Sequence, residues 1–141
     1  MPPASDGLAR QAMSLIPPQG KANVYVIRGP AHLSDQVLWT VDLDFRGFGT
    51  LGSESYLYGW ISPVDHVLAV LTDGQVQGRL RFRAEARRNY FFTVVAGLLT
   101  LHLERIEERD GRSLVGRSTL SGDNRFEAES LPLPGAARGG P

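Results

Sequence analysis

His66 stands one residue after Asp65 and four after Ser62, so the side-chain types of a hydrolytic triad fall within a single short stretch. A triad works by convergence: the imidazole takes the serine proton while a carboxylate orients the ring. On a strand, Asp65 and His66 point to opposite faces, which keeps that pair from cooperating. The local sequence is better read as a structural corner, in which Pro63 ends one strand and the His66 ring bonds a nearby carbonyl. His32 with Asp35, and His102 with Glu104, are the other imidazole–carboxylate pairs, but zinc asks for three or four converging ligands. Asp42 and Asp44 would share one strand face about 7 Å apart, between the spacings of retaining and inverting glycosidases. A solvated strand face carries such acids routinely. The expectation is no catalytic residue, no metal and no cofactor.

Recognition chemistry is better represented. Arg79, Arg81 and Arg83 recur at every second residue, with Arg87 and Arg88 just beyond. Such a stripe is either a solvated strand face that blocks edge-to-edge pairing or a dock for anionic groups, which guanidinium forks bind in pairs of hydrogen bonds. Tyr56, Tyr58 and Trp60 also alternate, and large aromatics at period two usually enter a core. Trp60 is expected near the rim of that core. The candidate binding residues are therefore Arg79, Arg81, Arg83, Trp60 and Tyr58. No GxxxxGK[ST], HExxH or GxSxG occurs, and no GxGxxG bridges a strand to a helix.

The elements carrying these residues read as strands. Val37, Trp39, Val41, Leu43 and Phe45 alternate with polar or smaller positions, and Leu80, Phe82 and Ala84 alternate with the three arginines, a half-buried pattern. Ala22–Arg28, Tyr56–Ile61, His66–Thr72 and Asn89–Ala96 are further strands, punctuated by Gly29-Pro30, Ser62-Pro63, Asp73-Gly74 and Gly97. Gly47–Gly52 is read as a glycine-rich hairpin needing positive φ, and Asp110-Gly111 as a turn before a last strand from Ser113 to Leu120. Leu98–Glu108 alternates like a strand, with a short helix over 98–108 as the alternative. Strands every 8–12 residues predict an all-β fold, an antiparallel β-sandwich of seven or eight strands. The expected organisation is an extended leader over 1–19, one sandwich over 20–126, and a disordered tail over 127–141 rich in proline, glycine and alanine.

The chain has 141 residues, fifteen basic and fifteen acidic groups, and no cysteine. The balanced charge gives a nucleic-acid partner little support. Without cysteine the chain has neither disulfides nor thiolate chemistry. Fourteen of the fifteen basic residues are arginine and Lys21 is the sole lysine, which leaves one candidate for a Schiff base. No apolar run reaches the roughly 18 residues of a membrane span, and residues 1–20 lack the basic start and apolar stretch of a secretory signal.

Taken in order, the segments Gly20-Lys21-Ala22 to Arg28, Gly47-Phe48-Gly49-Thr50-Leu51, Tyr56-Leu57-Tyr58, Pro63 with His66, the arginine-striped strand, Arg88-Asn89-Tyr90-Phe91-Phe92 and Arg109-Asp110-Gly111-Arg112-Ser113-Leu114 resemble the bacterial domain of unknown function 2846 family. Its members are small envelope proteins, often lipoproteins. The resemblance covers about residues 18–120. Where the family has proline-glycine before its histidine, this chain has Pro63-Val64-Asp65, and where it has alanine-glycine, Arg87-Arg88; its lipid-bearing cysteine is not present. The resemblance implies an antiparallel sandwich related to transthyretin-like and carbohydrate-binding modules, with no established activity. It implies a periplasmic or envelope address if a signal was removed; otherwise the chain is cytoplasmic. The expected function is a non-catalytic binding module of the envelope, monomeric or weakly self-associating, whose partner is an envelope protein or an anionic polysaccharide. The alternatives are a self-assembling structural subunit and a small hydrolase using His66 with Ser62 or Asp65.

Overall fold

The computed structural model describes residues 6–29, 37–97 and 100–126. Nine strands form two sheets packed as a sandwich, with two short helices added. The strands are β1 (Ala22–Arg28), β2 (Trp39–Leu43), β3 (Arg46–Leu51), β4 (Ser55–Ile61), β5 (Asp65–Thr72), β6 (Gln75–Arg83), β7 (Asn89–Ala96), β8 (Leu101–Ile106) and β9 (Thr119–Leu120). The five-stranded sheet has the order β8-β7-β1-β4-β9 and the four-stranded sheet β3-β2-β5-β6. Pairing is mostly antiparallel, but β1 runs parallel to β7 and β4 parallel to β9. The expected all-β sandwich is therefore present. The count exceeds seven or eight because β9 is a two-residue strand at the far edge.

Two apolar layers organise the fold. Between the sheets lie Val24, Val26, Val41, Leu57, Leu68, Val70, Phe82 and Phe92, all buried. On the other side of the five-stranded sheet, Tyr25, Ile27, Tyr56, Tyr58 and Phe91 pack under Leu8, Ala12 and Val115. Those last residues belong to α1 (Asp6–Ser14) and α2 (Glu108–Gly116). Both faces of β4 are buried: Leu57 and Ile61 enter the sandwich, while Tyr56 and Tyr58 enter the helix layer.

Both helices correct the sequence reading. Residues 6–14 of the expected extended leader are helical, since Leu8 and Ala12, four apart, cap the tyrosine layer. Asp110-Gly111 is not a turn but the middle of α2, and Ser113–Gly116 is helix where a strand was expected. Gly111 earns its helical position by packing: a Cβ there would lie 2.1 Å from the Phe91 ring. Over 101–106 the strand prevails over the helical alternative, and α2 starts two residues later. The tail over 127–141, residues 98–99, and His32 with Asp35 lie outside the described residues.

The hairpin between β2 and β3 also falls elsewhere than expected. Gly47 to Leu51 is strand β3 itself, and the two-residue turn is Asp44-Phe45, with φ of 54° and 67°. Positive φ at both positions is the turn whose twist suits a hairpin. Asp73-Gly74 makes the same kind of turn between β5 and β6, as expected, with φ of 50° and 76°. Gly49 is needed for closeness: a Cβ there would meet the Asp123 carbonyl and Leu57 at 2.4 Å.

The segment 121–126 seals one side of the sandwich. Thr50 donates its N–H to the Asp123 carbonyl and Arg125 donates to the Phe48 carbonyl, which covers the edge of β3. The Asn124 side chain imitates a strand against β4, accepting from the Tyr58 N–H at 2.8 Å and donating to the Tyr58 carbonyl at 3.0 Å. On the opposite side β6 closes onto β8, where a Cβ on Gly78 would sit 2.9 Å from the Leu101 carbonyl.

Gly111→Ala sets two effects against each other. Helix propensity alone favours alanine by about 1 kcal/mol, whereas forcing a methyl into a packed ring costs about 1–3 kcal/mol. Packing is expected to win, so the urea midpoint of Gly111→Ala falls below that of the wild type.

Candidate functional site

His66 begins in a strand and ends in a clamp. Its ring is buried, with Nδ1 2.6 Å from Asp44 Oδ2 and Nε2 2.7 Å from the Ser62 carbonyl. Asp44 Oδ1 accepts the Val67 N–H at 2.9 Å, and the Asp44 N–H donates to the Val67 carbonyl. Both ring nitrogens thus face an oxygen, one of a carboxylate and one of a backbone carbonyl. The clamp ties the β2–β3 turn to the start of β5. The ring bonds the Ser62 carbonyl beside Pro63, and its second partner, Asp44, is the feature the sequence concealed.

The same geometry separates the candidate triad. The Ser62 hydroxyl accepts from Lys21 Nζ at 3.1 Å, and Asp65 pairs with Arg83 on the surface at 3.2 Å. Neither reaches the His66 ring, whose two nitrogens are engaged elsewhere. Asp42 and Asp44 do not share a strand face, because Asp44 lies in the turn. His102 and Glu104 form an exposed pair at 2.9 Å. Among the described residues no three histidine, aspartate or glutamate side chains converge as metal ligands would.

The candidate binding residues divide. Tyr58 is fully buried and its hydroxyl donates to Asn23 Oδ1 at 2.9 Å, so it is no platform for a ligand. Burial pushes its phenol up to about 12, against a weaker downward pull from Gln11. Tyr25, whose hydroxyl donates to the Ala12 carbonyl at 2.6 Å, is held well above the ordinary phenol range, burial again being the main cause. Trp60 is half-buried, edge-on to Phe126 at 5.3 Å, and lines a cavity of about 260 Å³ with Lys21, Arg46 and Ser62. Its place at a rim matches the expectation.

Arg79, Arg81 and Arg83 project from β6 on the outer face of the four-stranded sheet. Three of the four sheet faces in this molecule are covered, two by each other and one by α1 and α2. Among the described residues the fourth is covered by neither a helix nor a sheet. Across that face Arg79 stands opposite Ala69, which stands opposite Asp42, and Arg81 stands opposite Val67. Arg83 is committed to Asp65, while Arg79 and Arg81 form no ion pair with any described residue. Successive guanidiniums on one strand face are about 7 Å apart.

Phe45 adds an aromatic to this face. It is 75% exposed and borders the same shallow pocket as Arg81. A left-handed conformation costs a bulky residue about 1–2 kcal/mol, and glycine is the usual choice at that turn position. The sequence hid Phe45 because the alternation Val41, Leu43, Phe45 runs smoothly into the turn. Arg28 was hidden too. It is only 2% exposed at the end of β1, stacked 3.6 Å from the Trp39 ring, and donates to the Val37 and Leu51 carbonyls.

No family model matches the chain, and no curated protein matches it.

His66→Ala strands the Asp44 carboxylate and the Ser62 carbonyl, and is expected to cost about 1–3 kcal/mol in urea unfolding. Asp65→Asn, which touches only an exposed pair, should cost less than about 0.5 kcal/mol. A second outcome concerns alkali. The raised phenol values of Tyr25 and Tyr58 contribute stability that is complete below the unfolded value near pH 10. The Tyr58 share is lost as pH climbs through about 12, and the Tyr25 share at higher pH still. Tyrosinate absorbance is expected to show these phenols ionising together with the loss of far-ultraviolet circular dichroism.

Proposed function

We propose that the protein is a non-catalytic recognition module of the bacterial cell envelope, and that the uncovered face of the four-stranded sheet holds an anionic polysaccharide. The observation that carries this reading is the row of Arg79 and Arg81 beside exposed Phe45, on a sheet face that neither a helix nor a sheet covers among the described residues. Two guanidiniums without a carboxylate partner keep their hydrogen-bonding forks available to sulfate, phosphate or carboxylate groups. The regular spacing of a strand suits a partner whose charges repeat along a line, as a polymer's do. Phe45, kept at a turn position that disfavours it, supplies a ring against which a sugar can pack.

The envelope address comes from the resemblance described above, together with the anionic polymers found in that compartment. A hydrolase reading has less support, because His66 spends both ring nitrogens on the Asp44–Ser62 clamp. Self-assembly through bare strand edges has less support as well, since 121–126 covers β3 and β6 closes against β8. No helix among the described residues is long and apolar enough to cross a membrane.

Polygalacturonate serves as the probe in isothermal titration at low and high salt. The wild type is expected to bind, with affinity falling at least about ten-fold between 50 and 500 mM NaCl as screening grows. Arg81→Glu should abolish binding and Phe45→Gly should weaken it, both without lowering Tm. Equal binding by wild type and Arg81→Glu, or none by either, overturns the reading.

A further inference from the structure

A second cationic feature lies where β8 passes into α2. A cleft of about 680 Å³ opens there, and Arg87, Arg88, Arg105 and Arg112 line it together with Glu107 and Glu108. Four guanidiniums face two carboxylates. One of those carboxylates is already spent: Glu108 takes both Nε and an Nη of Arg112, at 2.9 and 2.6 Å. Arg88 leans on Glu85, outside the cleft, at 3.4 Å. Arg87 and Arg105 have no ion pair with any described residue. Arg105 is instead braced by the Tyr90 ring, 4.7 Å below its guanidinium carbon, which fixes its direction while leaving its donors open.

Two further observations point the same way. Arg87 sits at φ 70°, a conformation disfavoured for any residue with a side chain, held there by donating its N–H to the Lys21 carbonyl at 2.8 Å. Glycine or asparagine would fit that backbone at lower cost, yet a guanidinium stands there, facing the cleft. The cleft also takes in Glu107, the N-cap of α2, which makes no side-chain cap. The first N–H groups of the helix therefore lack that partner and add positive potential at the same end.

The geometry points to a binding site for a phosphoryl group in this cleft, with Arg87 and Arg105 as the principal donors and Arg88 and Arg112 as flanking charge. Forks arriving from the β6–β7 loop, from β8 and from α2 surround a common space. A tetrahedral phosphoryl anion with several acceptor oxygens satisfies donors from several directions better than one planar carboxylate does. The volume lies within the range of small-molecule sites. The site is separate from the Arg79–Arg81 row and does not depend on it.

The test uses the full chain with two probes, inorganic pyrophosphate by isothermal titration and phosphatidylglycerol vesicles by co-sedimentation. Arg87→Asn keeps a residue that tolerates positive φ and removes the guanidinium; Arg105→Gln removes the second. Each variant is expected to weaken binding about ten-fold or more, the loss of one charge-assisted contact, while Tm stays within about 2 °C of wild type and Arg81→Glu leaves binding intact. Arg87-dependent binding of pyrophosphate assigns a soluble phosphorylated ligand. Arg87-dependent binding of the vesicles without pyrophosphate binding assigns a lipid headgroup. Binding of neither probe, or binding that Arg87→Asn and Arg105→Gln leave unchanged, overturns the proposal.

Discussion

The five-stranded sheet is buried on both faces, and that constraint governs the rest of the molecule. Its central strand β1 has no exposed position from Ala22 to Arg28. Every side chain on it must be apolar or supplied with hydrogen-bond partners, since an unmet buried polar group costs about 1–3 kcal/mol. Asn23 meets the requirement by accepting from Tyr58 and donating to Asn89 Oδ1 at 2.8 Å; Asn89 in turn donates to the Leu15 carbonyl at the end of α1. The polar chain thus crosses from sheet to helix and fixes where the helix layer sits. Arg28 places one Nη against the Val37 and Leu51 carbonyls and lays its guanidinium on the face of Trp39.

The double burial also explains which parts of the fold were legible in the sequence. Period-two alternation reports one wet face and one dry face, so β6 was read correctly at Phe82 inside and Arg81 outside, and β2 at Trp39, Val41 and Leu43, whereas Val37 and Phe45 of the same alternation lie outside β2 and are exposed. On β4 both sets are dry, and alternation of Tyr56, Tyr58 and Trp60 with Leu57 and Ile61 carries no sign of which set faces the sandwich. The helices were missed for a related reason. Nine-residue helices offer too few turns for a clear period, and α2 has glycine where propensity argues against a helix. Only the Phe91 ring beneath it explains Gly111.

The candidate sites were legible in the same uneven way. Arginines spaced along one strand announce themselves. The partners of His66 and the setting of Phe45 depend on where a two-residue turn falls, and Asp44-Phe45 lacks the asparagine-glycine signature that would have marked it. The cleft at α2 gathers Arg87, Arg105 and Arg112 from three separate elements, a proximity that no local spacing encodes. Both surfaces sit on the periphery of a rigid frame, one on an edge strand and one at a strand-to-helix junction.

The strap formed by residues 121–126 has a bearing on biosynthesis. Thr50 waits for Asp123, a partner seventy-three positions downstream. While a ribosome is still delivering the intervening chain, the rim of β3 stays unzipped, offering its free amides to any neighbouring nascent polypeptide. Closure on that flank is therefore a late event in the life of each molecule, and the hazard of mispairing is concentrated in the interval before the strap emerges.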